Sequence, residues 1–231
     1  MTVPVDGQAV PWDLGPVRPR RPIVLRWTAG VLAAVAAAWI LRPSSCGEPV
    51  ALPQPSGHHG EAGYPVGFPH TGPGAAAAAA AALEAGWSLD AEEAAAGSAL
   101  YVAPDQQARS RADAASATVH WRRAVGLPDD GGLPSGAALT VTTIGVRWQE
   151  RSRDQVVVSV LARVDATAGD AGPVHAGSHA RTFVMTWSPA QRGGDWVRSL
   201  TAPPAAPPPV AEPGSPAFAS AGWRPIARGH S

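Results

Sequence analysis

Tyr101, Asp113 and His120 have the side-chain types that acid–base catalysis uses. An imidazole works with a carboxylate when the two are within hydrogen-bond reach. Asp113 and His120 are seven residues apart, so they share one helix face but lie two turns from each other, too far for a direct bond. Asp113 also stands four residues after Arg109, the spacing of a solvent-facing ion pair. His175 and His179 would stack on a helix, but "GPVHAGSHA" reads as a loop entering a strand. That places them at a polar hairpin tip and implies no metal-ligand geometry. His58 and His59 are adjacent in a spacer that offers no further ligands. Cys46 is the only cysteine, which excludes an internal disulfide and a C-x-x-C site. Pro43 occupies the place where a lipidation signal needs a large aliphatic residue, so "RPSSCGE" reads as linker. Nucleophile elbows, phosphate-cradling glycine loops and zinc signatures are absent. No catalytic residue, cofactor or metal is expected.

The remaining candidates are contacts for a partner or ligand: Tyr64, Phe68 and His70 in "GYPVGFPHTGPGAAAAAAAALEAGW" (63–87), and Trp121 further on. The competing role for the first three is hydrophobic anchoring of the chain as it leads into a helix. Tyr64-Pro65 and Phe68-Pro69 impose extended geometry before each proline. Thr71 is a good N-cap and Pro73 falls in the first turn, where a missing N–H is tolerated. Ala75 to Leu83 is then a helix of maximal propensity, stopped by Gly86. It is too short to span a bilayer.

Residues 23–41, "IVLRWTAGVLAAVAAAWIL", are apolar except for Arg26 and Thr28. As a helix they would cover roughly 28 Å, close to the hydrocarbon thickness of a bilayer. Trp27 and Trp39 lie near the two ends, where interfacial tryptophans sit. Arg18, Arg20, Arg21 and Arg26 crowd the amino side, against Arg42 alone on the other. The positive-inside rule therefore keeps residues 1–22 cytoplasmic and exports the rest. The run is longer than a cleaved signal's and has no convincing cleavage site, so an uncleaved signal-anchor is expected.

Beyond this span, residues 42–62 read as a Pro/Gly-rich linker, 63–200 as one domain, and 201–231 as a disordered Pro-rich tail. In the domain a second helix runs from about Asp90, whose spacing to Glu93 is that of a capping box, to Leu100. A third opens at Pro104-Asp105 and ends at Arg122-Arg123 before Gly126. On it Ala108, Ala112, Ala115 and Val119 recur at helical spacing, a small-residue face suited to lying on a sheet, with Trp121 beside it. The period then changes from 3.6 to 2. Strands are expected over 137–149 (Ile144, Val146 and Trp148 on one face), 154–166 (Val156, Val158, Val160, Val164), 177–189 (Phe183, Met185, Trp187) and 193–200 (Trp196). The fold class is α+β: a single N-terminal transmembrane helix followed by three helices packed on a curved four-stranded antiparallel sheet.

That order, with "GDWVRSL" closing after "RTFVMTWSP", resembles the cystatin-like roll of the nuclear-transport-factor-two-like superfamily, over about residues 63–200. In the enzymes of that superfamily an Asp–His or Asp–Arg–Tyr group lies inside the cone. The span, spacer and alanine element are similar to actinobacterial bitopic membrane proteins, some of which accompany conjugative and integrative elements. The resemblance implies no catalytic residue in this chain. It implies a non-enzymatic, membrane-anchored extracytoplasmic scaffold that meets the membrane, other envelope proteins and its own copies, an accessory subunit of a conjugative DNA-transfer apparatus being one such role. The alternative is an extracytoplasmic module holding a small apolar ligand in the cone. A filled cone, with Trp148, Phe183 and Trp187 in it, favours the scaffold; a pocket with a few polar groups favours the receptor. All 18 basic residues are arginine, and acids balance them. With eleven arginines against thirteen acids in 63–200, no nucleic-acid contact by the outer domain is expected.

Overall fold

The computed structural model describes residues 48–170, 173–201 and 204–227, all within one compact unit, Pro43–Ser231. A short hairpin comes first, β1 (Gly57–His59) against β2 (Tyr64–Val66). Three helices follow: α1 (Gly72–Gly86), α2 (Ala91–Leu100) and α3 (Gln107–Ala124), the last preceded by a 3₁₀ turn at Pro104–Gln106. Then come β3 (Ala137–Ser152), β4 (Gln155–Ala168), β5 (Pro173–Ser188) and β6 (Asp195–Ser199), and finally α4 (Pro216–Ser220) and β7 (Arg224–Pro225). The large sheet is antiparallel in the order β6-β5-β4-β3-β7.

Local chemistry accounts for the helix starts. The Thr71 hydroxyl accepts from the Gly74 N–H (3.1 Å). Asp90 Oδ1 accepts from the N–H groups of Glu92 and Glu93 at 2.8 and 3.0 Å. Each bond satisfies an amide that the helix leaves unpaired.

The helix against the sheet is α1. Ala75 to Leu83 is buried without a break, with Val156, Val158, Val160, Phe183, Met185 and Trp196 in the same core. Alanine has so little side chain that the backbones on both sides must come close. At Gly97 of α2 even a Cβ would lie 2.1 Å from the Ala85 carbonyl oxygen. α3 reaches the sheet at its carboxyl end, where Trp121 and Val125 pack with Val164 and Ala166. Its buried line is Ser110, Ala114, Thr118, Trp121 and Arg122, whereas the expected face is displaced: Ala108 and Ala112 are exposed. The Ser110 and Thr118 hydroxyls donate to backbone carbonyls, Ser98 O at 3.0 Å and the part-buried Ser88 O at 3.1 Å. Polar side chains thus hold the α2–α3 interface.

The expected fold class requires correction. Among the described residues there are four helices instead of three, and the sheet has five strands instead of four, with a two-stranded sheet besides. No helix among the described residues is long and apolar enough to cross a membrane, and the run 23–41 lies outside them. The described part of the Pro-rich tail is built into the fold. Phe218 and Trp223 are fully buried and cluster with Leu161 and Ile144, on the sheet face opposite the helices. The Trp223 indole N–H donates to Pro209 O (2.8 Å), and β7 pairs with Gly145 and Val146 of β3. Burial of two large aromatics outweighs the low structural propensity of the prolines around them.

A register shift between Thr143 and Gly145 reverses the parity of β3. Val141 before it and Val146 after it both face the helices, while Ile144 turns to the tail. The expected common face of Ile144, Val146 and Trp148 is therefore split. Gly145 leaves room for the tail, since a Cβ there would sit 2.9 Å from Phe218 Cζ. The spacer is also partly structured. Val50 is buried, bridges Ile226 in parallel, and its N–H donates to Pro225 O (2.8 Å).

Candidate functional site

The four contact candidates separate to the two ends of α1. Tyr64, Phe68 and His70 belong to the amino end. Phe68 is buried in the core. Tyr64 is half-buried and its hydroxyl donates to Glu93 O (3.4 Å). His70 stacks on Trp187 with ring centroids 4.1 Å apart, and its Nε2 lies 2.8 Å from Asp154 Oδ1 and 3.0 Å from Arg153 O. These contacts fasten the lead-in segment to α2, to the β3–β4 turn and to the end of β5.

Asp195, almost fully buried at the start of β6, completes the fastening. Its carboxylate accepts from the N–H groups of Gly67 (2.8 Å), Phe68 (3.2 Å) and Trp196 (2.8 Å), and from Arg192 Nε (2.9 Å). Tyr101 sits beside it as a structural donor, giving its hydroxyl to Pro65 O at 2.7 Å. Burial pushes the Tyr101 phenol well above its ordinary value. Asp113 and His120 are exposed on α3, so the three acid–base candidates form no common site.

Trp121 belongs to the other end. It is buried against Trp87 (5.2 Å between ring centroids), His175 (5.5 Å) and His179 (5.1 Å). Here the expectation of a hairpin tip fails, because β5 begins at Pro173 and both histidines are inside the strand. They are close because Gly177 stands between them. Over its missing side chain the two rings lean together, with Nε2 atoms 3.4 Å apart. The ring centroids are 5.7 Å apart, so the nitrogens face each other nearly head-on. That is the geometry of one imidazole donating to another. Among the described residues no group of three or more His, Cys, Asp or Glu is placed to hold a metal. The pKa of His179 is lowered by burial first, then by His175, Arg181 and His120.

Next to this cluster is a cavity of about 510 Å³ between the carboxyl half of α1, α3 and the β5–β6 edge. Three arginines line it, Arg109, Arg181 and Arg198, with a single acid, Asp113. The expected Arg109–Asp113 ion pair is not made; Arg109 instead donates to Leu200 O (3.2 Å). Arg198 is the unusual member. Its NH2 donates to Ser110 Oγ (2.9 Å) and Ser98 Oγ (3.3 Å), and the guanidinium lies 5.6 Å over the Phe183 ring. Its Nε is buried without a partner, and no described carboxylate forms an ion pair with it. Burial pulls its pKa down, opposed by the nearby charge of Asp113. Arg181, whose side chain reaches solvent, is also pulled down by partial burial and lies 5.7 Å over Trp87. Arg122 shows the saturated alternative. It is buried, and its guanidinium donates to the carbonyls of Leu89, Pro128 and Gly131.

Sequence reasoning misses both strand arginines, although the signal is present. Arg198 follows Trp196 by two residues and Arg181 precedes Phe183 by two, so strand alternation puts each on the helix-facing side. The comparisons add no relative: no family model, curated protein or solved structure matches the chain.

Proposed function

We propose that the chain is a membrane-tethered extracytoplasmic binding module without turnover, and that its ligand occupies the arginine-lined cavity. The tether rests on the apolar run 23–41 and the arginines before it. The observation that carries the ligand is the cavity itself. About 510 Å³ lies within the roughly 300–1,000 Å³ of small-molecule sites. Its walls combine apolar side chains (Leu83, Trp87, Phe183) with a few convergent polar groups. The acid–base candidates, in contrast, do not converge, and catalysis needs such convergence. The test is to purify the full chain from the cells that make it, denature it, and analyse what is released by mass spectrometry. A small molecule in stoichiometric amount, lost when Phe183→Arg fills the cavity, is the expected result.

Two observations favour the scaffold as a second reading. Trp148, Phe183 and Trp187 all pack in the core with α1, the filling expected of a scaffold. β6 pairs with Val184 to Ser188 of β5 only, so the earlier half of β5 is a sheet edge with no strand beside it among the described residues. A partner's strand could extend the sheet there, as in β-augmentation. The resemblance to conjugation-associated membrane proteins suits this role, with an envelope protein or a second copy as the partner. Cross-links from probes on β5 to an envelope protein in living cells, lost on introducing Ser178→Pro, would favour it over the ligand reading.

A further inference from the structure

Accepting the binding-module reading, we infer that the cavity recognises an organic anion, a carboxylate on a compact apolar body, with the Arg198 guanidinium as its principal counter-charge. A cation withdrawn from water is costly unless an opposite charge and hydrogen bonds replace its hydration. At Arg198 the protein supplies two serine hydroxyls and an aromatic face, but no ion-paired carboxylate, and one buried N–H has no acceptor. The serines are committed to each other as well, with Ser98 Oγ and Ser110 Oγ 2.7 Å apart. The chain thus holds Arg198 in place without neutralising it.

The surroundings extend the same charge. Arg181 and Arg109 line the same cavity, and Asp113 is the one acid that faces them. Guanidinium groups recognise carboxylates through a planar fork of donors, which an ammonium could not reproduce. Thr182, Ser199 and Thr201 also border the cavity, but their hydroxyls are paired, Thr182 with Ser159 and Ser199 with Thr201, each at 2.9 Å, which leaves the arginines as its charged donors. An inorganic ion would leave most of the space empty. Trp87, Phe183 and Leu83 provide the apolar side against which a ring or short chain would lie. The dissimilar walls therefore select a ligand with two dissimilar ends.

The experiment is calorimetric titration of the full chain with three probes: benzoate, which has both ends; benzyl alcohol, which has the body alone; and inorganic phosphate, which has the charge alone. Benzoate should bind at least roughly tenfold more tightly than either control, because only it meets both walls. Arg198→Gln should weaken benzoate by roughly tenfold, as expected for truncating one partner of an enclosed charge pair, and Arg181→Gln, at a more exposed charge, by roughly threefold to fivefold. If Arg198→Gln does not fold, Arg181→Gln, at a side chain that reaches solvent, carries the comparison. Either control within about twofold of benzoate would overturn the inference, as would folded variants that keep benzoate affinity within about twofold. A neutral molecule released from the native protein, with no benzoate binding, would overturn the anion and leave the binding module standing. No released molecule and no binding of any probe would remove both.

Discussion

The two ends of α1 lie under the same sheet, yet they treat charge in opposite ways. At the amino end a buried carboxylate, Asp195, is surrounded by four donors, one of them the guanidinium of Arg192. Arg192 leaves one nitrogen without a partner, but the charge itself is balanced. At the carboxyl end Arg198 has hydroxyls around it and no carboxylate paired with it. The first arrangement closes a structure. The second leaves a charge for something else to meet. The difference separates an ion that the fold needs from one that the fold tolerates, which burial alone cannot do.

Mutation should expose this contrast as a difference in sign. Asp195→Ala removes the acceptor of three backbone N–H groups and strands Arg192. Breaking a buried pair from one side costs about 3–5 kcal/mol, and urea unfolding should show a loss of that size. Arg198→Met removes an uncompensated cation and replaces it with an apolar side chain of similar length. A charge kept from water without a counter-charge is costlier than an apolar side chain in its place, so the same measurement should show no loss. A large loss at Arg198 would mean that the fold depends on that charge, and the contrast between the ends would fail. A smaller effect belongs to the amino end again. Thr71→Ala removes the cap of α1 and should cost about 1 kcal/mol, without the change in anion binding that Arg198→Met produces.

The parts of the fold legible in the sequence are those with local causes. The alternation in β4 and the caps Thr71 and Asp90 are read within a few residues. The rest depends on contacts far along the chain. An alanine run has no apolar face to distinguish from its other faces, so nothing in it announces that α1 lies against the sheet. Ser110 and Thr118 are buried because Ser98 and Ser88 offer acceptors, and α3 by itself carries no sign of that. The tail has the composition of a disordered segment. Phe218 and Trp223 nevertheless bind it to the sheet, through a space that Gly145 opens some 70 residues earlier. Of the candidate site, Trp121 stands out in the sequence, whereas Arg181 and Arg198 are legible only through the strand alternation that sets them two residues from Phe183 and Trp196.

The smallest expected effect is a pH dependence confined to the carboxyl end. His179 has its pKa lowered from the ordinary 6.5, chiefly by burial. The charged or titratable groups facing it are His175 and Arg181 on its own strand and His120 on α3. As pH falls through 6.5 the unfolded chain takes up a proton at this position while the folded chain does not. Proton uptake by the unfolded state favours unfolding, so stability should decline from about pH 6.5 down to the lower folded value and be unaffected by this group beneath it. His179→Gln should flatten that part of a stability-against-pH profile. An anion in the cavity would act on the same group in the opposite direction, because a negative charge nearby favours the imidazolium. Benzoate should therefore bind more tightly as pH falls through this window, and the gain should disappear in His179→Gln. An equal pH dependence of binding in that variant would detach the histidine cluster from the cavity, leaving the arginines to act alone.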